Sequence, residues 1–391
     1  MRLRSLTTYV CDAFRTNWVF VKLETEDGLH GWGEATLEYK EHTVEQAILA
    51  LEPSLRDRDL GDIQAWWQDA YRDAYWRGGA VLTSALSGIE MALWDLKGKA
   101  LGVPVYELLG GRVRDAVPCY ANAWFAGART PDEFADKAVE AAEWGYSALK
   151  WDPYGSAFRT LSTRELRDAM AVVDAVADAV RGRVDLIIEA HGRFELPAAQ
   201  RIAAALEDHD IVWLEEALIP GNLENYARLK ERTSTPLSLG ERLYTRWDFR
   251  EVFATGCADY VQPDVSHAGG IWETRMIGAL AELAQTGFAP HNPSGPVANA
   301  ATMQLAACTP NFSYLETMAT DVAWRRDVAE EASTIVRGVA HVSDAPGLGV
   351  DLDEAALAAH PYVRHDLRHY TGALTHIRPD DARARHAGST V

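Results

Sequence analysis

Between Trp18 and Trp32 the apolar residues Val19, Val21 and Leu23 alternate with other residues and stop at Asp27-Gly28. That is the period of two of a strand followed by a turn, and it predicts a short antiparallel sheet near the start of the chain. From Thr83 to Ala100, Leu86, Ile89, Leu93 and Leu96 fall at helical spacing, and Gly102 and Pro104 end the pattern. Strands followed by helices describe an α+β unit. Beyond about Val117 the pattern changes to short apolar runs separated by amphipathic stretches, for instance a strand from Val184 to Ile188 and a helix from Pro197 to Leu206. Strand-like runs recur at Ala148-Leu149, Leu186 to Ile188, Val212 to Leu214, Leu237 to Leu239, Tyr260 to Gln262, Phe288-Ala289 and Tyr314-Leu315. Most intervals are about 25 residues, one βα unit, and a parallel barrel is the simplest closure for that many units. The expected layout is an α+β unit over residues 1–120, a barrel over 121–342 and a C-terminal segment over 343–391. In that last segment GLGVDLDEAAL reads as a strand and short helix returning to the first unit, and from Arg378 onward the polar sequence predicts a frayed end.

The length of 391 residues suits one barrel with a smaller partner, and 48% apolar residues supply enough surface for sizeable cores. A formal charge of -19, with no clustering of Lys or Arg, argues against nucleic acid as a partner. An anionic small molecule stays compatible if a metal and a few lysines set the local potential. Cys11, Cys119, Cys257 and Cys308 form no CxxC pair, so they read as reduced core residues. The N-terminus MRLRSLTTYV lacks the layout of a signal peptide and no long apolar run follows, which predicts a cytoplasmic chain with no membrane partner.

The strands end on polar residues: Lys150, Glu189 with His191, Glu215-Glu216, Glu241, Asp264, His291 and Glu316. A lone Glu after a strand is ordinarily a solvated loop residue. In a barrel, however, strand C-termini converge on one rim, and so many acids and imidazoles at the same structural phase predict a single site there. Carboxylates meeting at one point repel unless a cation neutralises them, and hard oxygen donors favour Mg²⁺ or Mn²⁺ over zinc. Such an ion stabilises the enediolate formed when a proton leaves the carbon next to a carboxylate. Spacing alone leaves Glu215 and Glu216 as alternatives, because neighbours on a strand face opposite ways.

WLEEAL around Glu215, LGERLYTRWDF around Glu241, YVQPDVSHAGGIWE around Asp264 and APHNPSGP around His291 resemble the mandelate racemase branch of the enolase superfamily, and within it the acid-sugar dehydratases. GWGEATLE, YRDAYWRGG and SALSGIEMALWDLKGKALGVPVYELLGG extend the likeness through the first unit, so that it spans about nine-tenths of the chain. The resemblance implies an α/β fold, a (β/α)₇β TIM-like barrel with an α+β capping domain, with one Mg²⁺ per subunit on Glu189, Glu215 and Glu241. It also implies a homo-oligomer, from dimer to octamer. By the same likeness His291 is the general base, oriented by Asp264, and His191 is the general acid that protonates a leaving hydroxyl. Lys150 matches a position that contacts the substrate carboxylate or helps stabilise the intermediate. Glu316 matches an acid that hydrogen-bonds the substrate's carboxylate side, a role that needs a proton on it or a donating partner.

The implied reaction is dehydration of a sugar acid, an aldonate such as D-galactonate, to a 2-keto-3-deoxy sugar acid. The alternative is a cycloisomerase or epimerase that uses the same enediolate. Racemases of the branch carry a second lysine two positions beyond the first, where this chain has Asp152, so one-base chemistry is expected. The galactonate-type members have aspartate at the first metal position, where this chain has Glu189. The run TMATDVAWRRD after Glu316 and the segment from Lys150 to Gly155 depart from them too, and these loops flank the distal end of the substrate. By position in the resemblance, Phe14 to Trp18, His42 and Trp76-Arg77 are expected to read the sugar hydroxyls.

Overall fold

A computed structural model describes residues 1–72, 75–369 and 371–385. The N-terminal unit opens with a three-stranded antiparallel meander, Leu3–Asp12, Asn17–Thr25 and His30–Glu34. The strand Leu3–Asp12 is an addition to the two that the alternation predicts. In the central strand Val19, Phe20, Val21 and Leu23 are all fully buried, so both faces are covered, one of them by the long helix Ala80–Leu101. That helix lies close against the sheet because Gly33 and Gly88 meet there. A Cβ on Gly33 would fall 1.8 Å from the Gly88 carbonyl oxygen.

Eight parallel strands form the barrel: Ala116–Asn122, Ala148–Trp151, Asp185–Glu189, Trp213–Glu215, Leu237–Leu239, Tyr260–Val261, Gly287–Phe288 and Leu315–Met318. The eighth pairs in parallel with the first, from Leu315 opposite Cys119 to Met318 opposite Asn122, and closes the ring. Helices follow the first seven strands: Pro131–Glu143, Thr163–Val180, Leu196–Leu206, Leu223–Lys230, Thr245–Thr255, Ile271–Leu283 and Pro296–Cys308. This is the (β/α)₇β barrel of the sequence reading. Two of the helices start on reciprocal capping boxes, Thr130 with Glu133 and Ser162 with Glu165, which satisfy the first free N–H groups. Inside the barrel Tyr120, Ala148, Ile187, Trp213 and Ala289 pack into a small apolar floor, above which the polar strand ends stand.

Two buried glutamates tie the capping unit to the barrel. Glu34 accepts from the backbone N–H groups of Gly295 (2.6 Å) and Ala298 (2.8 Å) at the start of the seventh barrel helix. Glu90 accepts from the Ile271 (2.7 Å) and Trp272 (3.0 Å) N–H groups at the start of the sixth, and from the indole of Trp94 (2.6 Å) one turn along its own helix. Each carboxyl satisfies helix N-terminal donors and lies at the positive end of the dipole. Glu90→Ala leaves three buried donors without a partner, and the expected loss is about 3 kcal/mol of stability in urea unfolding. Burial pushes the Glu90 pKa up to about 7 despite those donors. The folded chain therefore holds this proton more tightly than the unfolded one. The associated stabilisation is full below the ordinary carboxylate range and is lost as pH rises through about 7. Glu90→Ala should remove that slope.

After the eighth strand, Thr334–Val336 and Val339–His341 form a hairpin that adds antiparallel to the first barrel strand. Ala329–Glu331 then pairs with Val350–Leu352, and the helix Glu354–Ala359 packs on Leu3–Asp12, with Lys22 Nζ 2.5 Å from Glu354. The expectation of a frayed end from Arg378 is corrected for the described part. Arg383–Ala384 pairs with Thr320–Asp321, Arg378 donates to the Thr320 carbonyl (2.7 Å), and Arg385 donates to Asn299 (2.7 Å) and Glu331 (3.2 Å). Polar sequence reads as solvated, but here the arginines neutralise the buried Asp321 and the partly buried Glu331. Residues 386–391 lie outside the described residues. Among the described residues no helix is long and apolar enough to cross a membrane.

Candidate active site

The strand ends meet at the C-terminal rim as the barrel geometry requires. Glu189 and Glu215 are the last residues of the third and fourth strands, and Glu241 follows the fifth by two residues. One carboxylate oxygen from each lies within 4.8 Å of the others. Glu216 takes a different direction. Its backbone turns to φ 44°, and its carboxylate accepts from Gly240 N–H and Arg242, each at 3.0 Å. Between the neighbours, Glu215 is the one that joins the triad.

Lys150 is buried at the centre of this acid cluster, with Nζ 2.6 Å from Glu215, 2.9 Å from Glu316 and 3.5 Å from Glu189. Burial alone would lower its pKa, but the surrounding carboxylates outweigh it and hold the ammonium protonated. Glu215 also accepts from the Trp213 indole (2.9 Å) and Gln262 (2.8 Å). Burial disfavours its charge, yet Lys150 keeps it down at about 2. Glu189 goes the other way, pushed well above the usual carboxylate range by burial and by Glu215 beside it. Glu316 is fully buried, and its recorded partners are all donors: Lys150, Asn122 (2.9 Å) and the Asn292 N–H (2.8 Å).

His291 lies three residues past the seventh strand. Its Nδ1 donates to Asp264 at 2.8 Å, and its Nε2 is 3.1 Å from Glu241. Burial lowers the imidazole pKa, but Glu241 and Asp264 more than reverse this and raise it to about 9. In an extended chain His191, two residues past Glu189, would point to the same side as it, and the geometry differs. The third strand ends at Glu189, and His191 sits in a turn at φ 51° with its N–H donating to the Glu189 carboxylate at 2.6 Å. The turn, not the pleat, brings the imidazole to the rim, where Nδ1 is 2.6 Å from Asp152.

Residues 133–356 match the family model described as enolase C-terminal domain-like, and residues 5–110 match the mandelate racemase / muconate lactonizing enzyme N-terminal domain. The chain belongs to the mandelate racemase / muconate lactonizing enzyme family. D-galactonate dehydratase from Variovorax paradoxus is 40% identical over 90% of this chain and 93% of its own length. The enzyme of the same name from Xanthomonas oryzae pv. oryzae is 37% identical over 91% and 94%. Among solved structures, the mandelate racemase/muconate lactonizing enzyme from Sulfitobacter sp. superposes with a TM-score of 0.89 at 29% identity, covering 94% of this chain and 97% of that one. The mandelate racemase/muconate lactonizing enzyme-like protein from Rubrobacter xylanophilus gives 0.85 at 35% identity, covering 94% and 99%.

Enzymes of the enolase superfamily bind a divalent metal, and a triad of acidic residues that could hold one is present here. The donor set fits such an ion. Three carboxylates converge, Glu189 and Glu215 buried and Glu241 partly so, all offering oxygen, and Lys150 balances their charge imperfectly, since burial and Glu215 push the Glu189 pKa well above the usual carboxylate range. Beside the triad lies a cavity of about 40 Å³ lined in part by Arg15, Tyr39, Lys150, Glu189, His191 and His369. Tyr39 and His369 are additions to the sequence reading. Arg15 falls within the loop expected to face the substrate, whereas His42, paired with Glu45, and Trp76, which is 78% exposed, do not line this cavity. A larger cavity of about 770 Å³, bordered by residues around Arg325, Glu331 and Arg385, contains none of the predicted site residues.

Proposed function

We propose that this chain is a Mg²⁺-dependent dehydratase of an acid sugar, an aldonate such as D-galactonate, which it converts to a 2-keto-3-deoxy sugar acid. The observation that carries this reading is the pair of imidazoles at the triad, His291 on Asp264 and His191 on Asp152. They follow the seventh and third strands, four positions apart in an eight-stranded ring, and so face each other across the mouth. One imidazole can remove a proton while the other supplies one. The relatives named D-galactonate dehydratase support the same class.

A divalent ion on Glu189, Glu215 and Glu241 would supply charge stabilisation for the enediolate. His291 takes the C2 proton, with Asp264 fixing its ring. Lys150 presents its ammonium to the substrate's carboxylate side, and Glu316 holds Lys150 from below; the donors around Glu316 favour that positioning role over donation to substrate. His191 gives a proton to the departing C3 hydroxyl. The lack of a second base at position 152 favours elimination over racemisation.

A library of aldonic and aldaric acids, incubated with Mg²⁺ and assayed for 2-keto acids, tests the reading. At least one aldonate should be turned over with kcat on the order of 1–10³ s⁻¹. Conversion of a sugar acid to an epimer or a cyclic isomer, with no keto acid formed, would replace dehydration by the alternative fate of the enediolate.

A further inference from the structure

We propose that Asp152 is the positioning residue for His191, and that it sets whether the enediolate eliminates the C3 hydroxyl or takes its proton back. The inference rests on the dehydratase reading for its kinetic consequence, but its geometry stands alone. The Asp152 carboxylate is buried and held on every side. Arg193, itself fully buried, donates through Nη2 to both oxygens, at 2.6 Å to Oδ2, and the Tyr154 N–H donates to Oδ1 at 2.9 Å. Arg193 is anchored in turn by donating through Nη1 to the carbonyls of Gly155 (2.8 Å) and His369 (2.9 Å). An acceptor so confined presents Oδ2 in one direction only, and His191 Nδ1 meets it at 2.6 Å.

His191 needs that support. Its side chain is 21% exposed and rises from a turn, so packing on one flank, edge to face with His369 at 4.8 Å between ring centroids, does not fix its rotation. With Nδ1 committed to Asp152, Nε2 is the nitrogen left to serve a substrate oxygen. His291 has the same arrangement, with Nδ1 on Asp264.

The consequence follows from the electron count. Loss of the C2 proton to His291 Nε2 leaves the bonding pair as the C1–C2 double bond of the enediolate. In elimination that pair becomes the C2–C3 double bond, the carboxylate is restored, and the C3–O bond breaks with its electrons on oxygen. The proton on His191 Nε2 completes a water molecule. The enol then gains a proton at C3 and loses the one on its C2 hydroxyl. When His191 is turned away, His291 returns a proton to C2 instead, and in D₂O that proton is deuterium.

Asp152→Asn and Asp152→Ala, assayed in D₂O with Mg²⁺, should lose about 10²-fold in keto-acid formation. KM and deuterium uptake at C2 of the remaining substrate should stay within about threefold of the parent enzyme, so the ratio of exchange to elimination rises at least about tenfold. Exchange and elimination falling together, or neither changing, overturns the proposal. A second measurement is independent of turnover. In ¹⁵N-histidine spectra of the full-length protein, the His191 resonances, assigned by their loss in His191→Asn, should show a proton on Nδ1 that shifts on Asp152→Ala. An unprotonated Nδ1 in the parent protein overturns the assignment. A parent enzyme that exchanges C2 but forms no keto acid removes the dehydratase reading, and the spectra then decide Asp152 alone.

Discussion

His291→Asn is expected to abolish keto-acid formation and deuterium uptake at C2 together, each by at least about 10³-fold, while metal binding persists. The imidazole is the basic group placed between an orienting carboxylate and the triad, 2.8 Å from Asp264 and 3.1 Å from Glu241. Asparagine keeps a side-chain donor for Asp264 and removes the proton acceptor, so the fold is preserved and the chemistry is not. Parallel loss of both readouts distinguishes this variant from the Asp152 series, in which exchange survives. Calorimetric titration with Mg²⁺ checks that the triad is intact. Exchange at the parent rate in His291→Asn would remove the base assignment and pass it to the other carboxylate-backed imidazole, His191 on Asp152.

The barrel is legible because its strands are short, apolar and regularly spaced, and because each ends on a residue type that the rim uses. Leu237–Leu239 is found at the expected residues, and the others within a few. The first barrel strand, Ala116–Asn122, escapes because AVPCYAN carries a proline inside the run. The carboxylates of Glu189, Glu215, Glu241, Asp264 and Glu316 and the two imidazoles are legible for the same reason as the strands. Tyr39 and His369 are not, since they reach the cavity from the capping unit and the C-terminal segment by docking, and docking leaves no period in the sequence. Asp152 is legible only as the residue that replaces a lysine. Its actual setting, clamped by Arg193 from the next strand's loop, depends on two side chains 41 positions apart meeting in the fold. The end of the chain misleads for a related reason. Composition separates polar from apolar, but not a solvated arginine from Arg385, whose partners Asn299 and Glu331 are distant in sequence.

Chelation of divalent ions is expected to reduce turnover by at least about 10³-fold, reversibly, and Mg²⁺ is expected to raise the unfolding temperature. Without an ion the triad is in electrostatic conflict. Lys150 holds Glu215 at about 2 from 2.6 Å, but it is 3.5 Å from Glu189, which burial and Glu215 force upward, and Glu241 draws on His291 and Arg242 for its neutralisation. An ion at the triad replaces these makeshift partners, so it binds the folded chain and not the unfolded one. At a hundredfold excess over its Kd this linkage contributes about 2.7 kcal/mol, a shift of a few degrees in Tm. The same conflict fixes the sign of the pH dependence. In the ion-free site burial and Glu215 raise the Glu189 pKa, and Glu241 and Asp264 raise that of His291; an ion at the triad lowers both, so binding releases protons and weakens as pH falls. Calorimetry in buffers of different ionisation enthalpy measures that release directly. Undiminished turnover in excess EDTA, or a Tm indifferent to millimolar Mg²⁺, would mean that Lys150 alone balances the cluster. The convergence of Glu189, Glu215 and Glu241 would then be structural.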